Sequence, residues 1–177
     1  MTGDKAGVAR RVAPFVWIAF GLLGIALIAG SFLSARPRLI WNSTVSAPIG
    51  LYVVEDRAWT KGDRIAVRPD PLLLETLVGF GALEPNQILI KRAAAISGDE
   101  VCRDGLIVSI NGAQVAKALE VAGNGLPLAS WRGCRRLARG EVFLLGDTDR
   151  SFDGRYFGVV GSDAVIGPVR LVGPIIN

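Results

Sequence analysis

The chain of 177 residues contains no histidine, which restricts the hydrolytic chemistry open to it. Without an imidazole there is no Ser-His-Asp triad, no Cys-His dyad and no histidine-containing zinc site. Two cysteines are too few for a four-thiolate site. A hydroxyl nucleophile with a lysine or carboxylate base remains possible. Residues 42–46, NSTVS, concentrate hydroxyl groups just ahead of an apolar run, so candidate nucleophiles lie there.

Lys91 is the candidate base, because its neighbours are apolar. It follows Ile-Leu-Ile and precedes Arg-Ala-Ala-Ala-Ile in a strand-like pattern. A lysine removed from water has a pKa lowered by several units, which makes it a competent base near neutral pH. The alternative is that Lys91 points to solvent from an alternating strand. Lys5, Lys61 and Lys117 lie in polar surroundings and are interpreted as solvated.

Short β-like runs must position these groups. Six of them have the length and composition of strands: 51–54, 64–68, 87–94, 106–110, 141–145 and 164–172. Asn111-Gly112 is the strongest hairpin signal, and Asp104-Gly105 predicts a second turn. The fold class predicted is mainly β, an antiparallel β domain with one or two short helices.

Two segments have helical patterns. Residues 71–83 begin with a proline and contain glycines at which a helix would end. Residues 12–35 carry no charge and are long enough to span a bilayer core of about 30 Å. A cleavable secretory signal is the alternative, but such cores usually run about 7–15 residues. We therefore predict a cytoplasmic tail over 1–12, a single transmembrane anchor over 13–34 and an exported β domain over 35–177.

Charge and cysteine content favour an exported carboxyl-terminal domain. Lys5, Arg10 and Arg11 precede the predicted span and two arginines follow it, so the positive-inside rule leans towards a cytoplasmic amino terminus. An even pair of cysteines in an exported domain suggests a disulfide, here between Cys102 and Cys134. Two unrelated buried thiols are the alternative.

Basic residues do not form a convincing nucleic-acid site. The net charge is a modest +4. Four arginines gather in residues 131–140, WRGCRRLARG, without interleaved aromatics. We interpret this segment as a solvated or lipid-headgroup-facing loop.

Three segments in a fixed order carry a family resemblance. They are residues 46–52 (SAPIGLY), 91–101 (KRAAAISGDEV) and 146–158 (GDTDRSFDGRYFG). They resemble the nucleophile box, the lysine box and the carboxyl-terminal signature of bacterial type I signal peptidases, which use a Ser/Lys dyad. The short serine box and the two cysteines are most similar to the conjugative-transfer (TraF-type) branch. Departures at Ala47, Ser97 and 148–149 avoid the positions needed for proton transfer.

The resemblance implies catalytic roles. Ser46 would attack the scissile carbonyl and form an acyl-enzyme, and Lys91 would take its proton and pass it to the leaving amine. Thr44 and the Ser46 backbone N–H would form a two-donor oxyanion hole. Pro48 would fix the backbone after the nucleophile, and Gly50 would let the substrate approach closely.

The third segment would support the dyad. Ser151 matches a hydroxyl that hydrogen-bonds and orients the lysine. Asp153 and Arg155 would form a structural ion pair, and Asp153, rather than either nearby aspartate, would be tied to activity. The alternative is a plain loop of turn-forming residues.

The leading hypothesis from this resemblance is a membrane-anchored serine endopeptidase that cleaves exported precursors after small residues. It would cross the bacterial inner membrane once, with its catalytic domain in the periplasm, and would need no cofactor, metal or nucleic acid. The substrate would be a conjugative propilin or another transfer protein, hydrolysed or cyclised, and transfer-apparatus proteins are possible partners.

Three alternatives stay open from sequence. The first is a housekeeping signal peptidase, for which the domain looks small. The second is a non-catalytic anchored β domain that assists assembly of a transfer or secretion apparatus. The third is a self-cleaving repressor-type protease, which the apolar span disfavours.

Overall fold

The structure, a computed structural model, describes residues 14–32, 39–79 and 87–174. The chain divides into two compact units, Met1–Pro37 and Arg38–Asn177, and each is described by itself.

The described part of the first unit is one helix, α1, Pro14–Phe32. Among the residues described, no helix is found with both the length and the apolar character needed to cross a membrane. The transmembrane role predicted for residues 13–34 therefore stays a prediction. The predicted tail, residues 1–12, lies outside the described residues.

The second unit is mainly β. Its elements, within the described ranges, are β1 (Leu39–Asn42), β2 (Gly50–Val54), β3 (Arg64–Val67), α2 (Pro71–Gly79), β4 (Leu89–Ile96), β5 (Glu100–Asp104), β6 (Ile107–Ile110), β7 (Ala113–Lys117), β8 (Gly133–Arg136), β9 (Glu141–Leu145), α3 (Gly154–Phe157), β10 (Val159–Gly161), a 3₁₀ turn (Ser162–Ala164) and β11 (Val165–Pro174). The predicted helix is α2, and the predicted strands correspond to β2, β3, β4, β6, β9 and β11.

The strands form two antiparallel sheets. A seven-stranded sheet has the order β1-β2-β11-β3-β4-β9-β10, and a four-stranded sheet has the order β7-β6-β5-β8. Every named pair is antiparallel, as predicted. The hairpin between β6 and β7 turns at Asn111 and Gly112, whose φ angles of 51° and 81° are the positive values that such a tight turn needs.

Apolar side chains cover both faces of the middle of the large sheet. The first core cluster contains Ile65, Val67, Leu73, Leu89, Ala93, Val142 and Leu144. The second core cluster contains Ile40, Ala47, Tyr52, Ala66, Ile90 and Val169. Since Leu89 and Ile90 belong to different clusters, β4 is buried on both faces, which explains its nearly continuous apolar sequence.

A disulfide closes the small sheet. Cys102 in β5 lies directly opposite Cys134 in β8, and their sulfur atoms are 2.05 Å apart. The predicted pairing is therefore confirmed, and two unrelated thiols are excluded.

Two sequence expectations need correction. The arginine-rich segment is not a loop throughout, because residues 133–136 form β8, which hydrogen-bonds to β5 and is held there by the disulfide. Helix α3 was not predicted. Its four residues are too few for a periodic pattern, and it begins because the Asp153 side chain accepts a hydrogen bond from the backbone N–H of Arg155.

Candidate active site

The loop between β1 and β2 carries Ser46 and is held in shape by Asn42. Asn42 is 5% exposed at the end of β1. Its Nδ2 donates to the carbonyl oxygens of Thr44, Ala47 and Pro48 at 2.9, 3.1 and 3.1 Å. The two N–H groups of this one buried amide are therefore shared among three carbonyls of the loop between β1 and β2.

A chain of hydroxyl groups runs from Ser46 to Asn42. Thr44 Oγ1 donates to Asn42 Oδ1 at 3.0 Å, and Thr44 Oγ1 lies 3.0 Å from Ser46 Oγ. A hydroxyl has one proton, so Thr44, having given its proton to Asn42, accepts from Ser46. In this resting arrangement Thr44 orients the Ser46 hydroxyl and is not yet turned to donate to an oxyanion.

Pro48 and Gly50 have structural roles in the loop exit. The carbonyl of Pro48 accepts from Tyr52 Oη at 2.7 Å. Gly50 is buried, with φ of +150°, and pairs with Asn42 and Pro174 on either side. The expected close approach of substrate to Gly50 stays a prediction.

Lys91 is buried in the large sheet. It is 3% exposed and lies directly opposite Ile65 of β3, so its side chain faces the first core cluster. The interpretation of Lys91 as a solvent-facing lysine is therefore wrong. Burial lowers the pKa of Lys91 to about 8, while the negative charge of Asp153 works in the opposite direction.

Ser46 and Lys91 line the same cavity. This cavity, named the catalytic cavity for the role predicted for Ser46 and Lys91, has a volume of about 180 Å³. Its wall includes Thr44, Val45, Ser46, Ile88, Leu89, Ile90, Lys91, Arg150, Ser151 and Phe152. Within the described part of the chain, no hydrogen bond joins Lys91 Nζ to Ser46 Oγ. Hydrogen bonds between catalytic groups are often long before substrate binds.

Asp153 and Arg155 form a fully buried ion pair. Their side chains are 0% and 2% exposed. Arg155 Nε donates to Asp153 Oδ1 at 2.9 Å, and Nη2 donates to Oδ2 at 2.7 Å. Burial alone would lower the pKa of Arg155, but the carboxylate raises it. The predicted pair is therefore present, and its geometry is bidentate.

Ser151 packs against the backbone of the same segment. It is 3% exposed, and its Oγ lies 3.3 Å from Thr148 Oγ1. A Cβ on Gly146 would come within 2.0 Å of Ser151 Oγ, so only glycine permits this packing. Ser151 lines the cavity with Lys91, and its role in orienting the lysine stays a prediction.

Asp147 connects the loop that carries Ser46 to β4, which carries Lys91. Its backbone N–H donates to the Ser46 carbonyl at 2.8 Å. Its carboxylate accepts from Arg64 of β3 and, at 2.8 Å, from Arg92 of β4. Burial would raise the pKa of Asp147, but the two guanidinium groups outweigh it and lower the pKa.

Sequence reasoning missed two members of this site. Asn42 lies in a polar stretch, where an asparagine more often marks a turn than a buried brace. Asp147 was set aside in favour of Asp153. Asp147 lies two residues after β9, and its carboxylate accepts from arginines in β3 and β4. Its role could be predicted only by knowing which strands pair in the large sheet.

The comparison with protein families identifies the chain. The family model described as signal peptidase, peptidase S26, matches residues 10–173. The chain belongs to the signal peptidase family. This confirms the resemblance carried by the three ordered sequence boxes.

Among curated proteins, this signal peptidase family member is similar to plasmid transfer proteins. Two proteins named plasmid transfer protein TraF, both from Escherichia coli, match it. The first is 29% identical over 174 residues, which covers 92% of this chain and 96% of the relative. The second is 28% identical over 176 residues, which covers 93% and 97%.

Among solved structures, a signal peptidase I from Enterococcus faecalis V583 matches with a TM-score of 0.39 and 23% identity. The match covers 64% of this chain and 98% of that one. A TM-score this low carries no argument about the present chain.

Proposed function

We propose that this chain is a membrane-anchored serine endopeptidase that cleaves exported precursors with Ser46 as nucleophile and Lys91 as general base. The main support is the buried Lys91 amine, whose pKa is lowered to about 8, in the wall of the cavity that also contains Ser46. A neutral amine at that position supplies the base that a histidine provides elsewhere.

Proton movement follows from the hydroxyl chain. On substrate binding, the Ser46 proton turns from Thr44 to Lys91 as Oγ bonds to the scissile carbonyl carbon. Thr44 then turns its own proton from Asn42 towards the developing oxyanion, where the Ser46 backbone N–H is the second donor. Lys91 gives the proton to the leaving amine as the peptide C–N bond breaks. A water or amine nucleophile then attacks the acyl carbon and passes a proton to Lys91, which delivers it to Ser46 Oγ as the ester bond breaks.

The substrate is an exported precursor with a small residue before the cut. Val45, Ile88 and Ile90 give the cavity an apolar wall, and the resemblance to signal peptidases supports a small residue before the cut. Similarity to two plasmid transfer proteins supports a conjugative propilin or related transfer protein. The uncharged sequence of residues 12–35 supports a single anchor in the bacterial inner membrane, with the catalytic domain in the periplasm.

The direct test is mass spectrometry of exported transfer proteins incubated with membranes that contain the full chain. Ser46→Ala and Lys91→Ala are each expected to reduce cleavage by about 10⁴-fold or more. Ser43→Ala and Lys117→Met are matched controls, because both residues are exposed. Proteins with these substitutions should cleave normally. Normal processing by the Ser46 and Lys91 variants would instead identify a non-catalytic assembly domain.

The pH dependence tests the base separately. Only the neutral amine accepts a proton, so kcat/KM should rise about tenfold per pH unit well below the Lys91 pKa and level off above it. With the pKa lowered to about 8, the bend falls near pH 8. A profile that stays flat from about pH 5 to pH 10 would contradict the role of Lys91.

A further inference from the structure

A second cavity adjoins the catalytic cavity. This flanking cavity has a volume of about 500 Å³ and shares Arg150 and Phe152 with the catalytic cavity. The rest of its wall is Leu119, Val121, Ala122, Gly123, Leu128 and Tyr156. Because two residues belong to both walls, the two cavities lie next to each other.

The outer wall of the flanking cavity is a braced segment, residues 118–128. The backbone N–H of Leu119 donates to Tyr156 Oη at 3.0 Å, and that of Leu128 donates to the Glu120 carbonyl at 2.9 Å. At the base of the segment, Arg155 Nη1 donates to the Lys117 carbonyl at 3.4 Å. The ion pair near Lys91 therefore also helps to hold this wall.

The wall presents apolar surface and one positive charge. Leu119 and Val121 are 41% and 53% exposed. Arg150 is exposed at the junction of the two cavities and, in the described ranges, makes no hydrogen bond or ion pair. Apart from Lys91, the described lining of both cavities has no other charged side chain. An acidic group on an apolar chain is the complementary ligand.

We propose that the flanking cavity binds the substrate segment beside the scissile bond, with an acidic side chain of the substrate paired to Arg150. This inference rests on the proposed peptidase function. Arg150 directly precedes Ser151, which lines the catalytic cavity. Arg150 lines both cavities, so the acidic residue lies within a few residues of the cut. Arg150 is thus a specificity-determining residue.

The test is a charge-swap experiment on peptides derived from a cleaved precursor. Glu, Gln or Lys is placed in turn at each of about four positions on either side of the cut. At one position the wild-type enzyme should prefer Glu over Lys by about tenfold in kcat/KM, and Arg150→Glu should reverse the preference. Arg139→Glu, at an exposed arginine in the turn before β9, is the matched control and should keep the wild-type preference.

Binding is measured independently of cleavage, with fluorescein-labelled peptides and the Ser46→Ala protein. The Glu peptide should bind about tenfold more tightly than the Lys peptide, and adding Arg150→Glu should remove that difference. Val121→Asn should weaken binding of peptides with a large apolar residue next to the Glu and should leave their Glu preference intact.

The two proposals fail differently. Ser46-dependent cleavage without a charge preference, or with one that Arg150→Glu leaves unchanged, overturns the role of the flanking cavity and leaves the peptidase standing. Charge-selective binding without Ser46-dependent cleavage supports the cavity and overturns the catalytic proposal. Loss of both overturns both.

Discussion

The seven-stranded and the four-stranded sheet hold themselves together by different means. In the large sheet, β4 is covered on both faces, and its lysine is 3% exposed. In the small sheet every residue of β8 is exposed, and so is nearly every residue of β7. There a disulfide supplies a constraint that side-chain burial does not. Burial in the large sheet includes the amine of Lys91, which the proposed chemistry needs out of water.

The sheets are nevertheless connected. A third core cluster packs Val101, Val108 and Ile110 of the small sheet with Ala95 and Phe143 of the large sheet. Arg103 of β5 is 3% exposed and donates through Nη1 to the carbonyl of Arg155 in α3. Burial lowers the pKa of Arg103. The small sheet therefore supports the backbone that carries the ion pair, and damage to each sheet should have a distinct signature.

Asp153→Asn should produce the largest change in stability. It leaves the Arg155 guanidinium, which is 2% exposed, without its counter-ion, and breaking such a pair costs about 3–5 kcal/mol. Urea denaturation measures the loss. Asp149→Asn is the matched control, because the Asp149 side chain is 94% exposed, and should change the free energy of unfolding by less than about 0.5 kcal/mol. Equal effects of the two variants would contradict the structural role of the pair.

Replacing both Cys102 and Cys134 by serine should lower the free energy of unfolding by about 3–4 kcal/mol, since the cross-link joins residues 32 positions apart. Amide exchange should accelerate in β7 and β8 and change little in β4, and peptidase activity should persist at low temperature. Thiol labelling of the unreduced, denatured wild type should find no free cysteine. Faster exchange throughout β4 would show that the two sheets do not differ as described.

Lys91→Met should increase the free energy of unfolding, whereas the variants above decrease it. Burial lowers the Lys91 pKa from its ordinary 10.5 to about 8, so below pH 8 the folded protein carries a charge that is more favourable in the unfolded chain. Methionine removes this cost, which gives up to about 3 kcal/mol of added stability at pH 7. The gain should shrink between pH 8 and pH 10.5, as the unfolded lysine also becomes neutral. Denaturation curves at pH 7 and pH 10 test this, and a gain independent of pH would contradict it.

Asn42→Ala should have the smallest effect on stability, a loss of about 1–3 kcal/mol from the buried hydrogen bonds that it removes. It should also lower kcat, because Thr44 loses the partner that orients it, while the pH at which kcat/KM levels off stays the same. Ser43→Ala, at an exposed neighbour, is the control. A shifted pH profile would mean that Asn42 acts on Lys91 and not on the serine loop.

The sequence predicted the central strands because their composition follows from burial. The runs at β2, β3, β4 and β9 are apolar since core clusters cover them. The edge strands were harder to predict from sequence. All four residues of β8, Gly-Cys-Arg-Arg, are exposed, and its pairing depends on the disulfide and not on a pattern of apolar side chains. Composition carries little information about such strands.

The candidate site also has a part that the sequence predicted and a part that it did not. Residue types indicated Lys91 as a candidate base and residues 42–46 as candidate nucleophiles, and the resemblance to signal peptidases selected Ser46 among them. The burial of Lys91 was not decidable from alternation, since Leu89, Ile90 and Lys91 are buried in succession. The contribution of Asn42 depends on three carbonyls that only the folded loop brings around one amide.

The Asp147 contacts have a practical consequence for protein engineering. Asp147 hydrogen-bonds to the serine loop through its backbone and to β3 and β4 through its carboxylate. These contacts fix the relative positions of segments that are far apart in the sequence. A serine loop grafted alone onto a new scaffold would lack the Asp147 contacts that hold it at its distance from Lys91. Transplanting this chemistry therefore requires moving the loop, the lysine strand and the turn after β9 together.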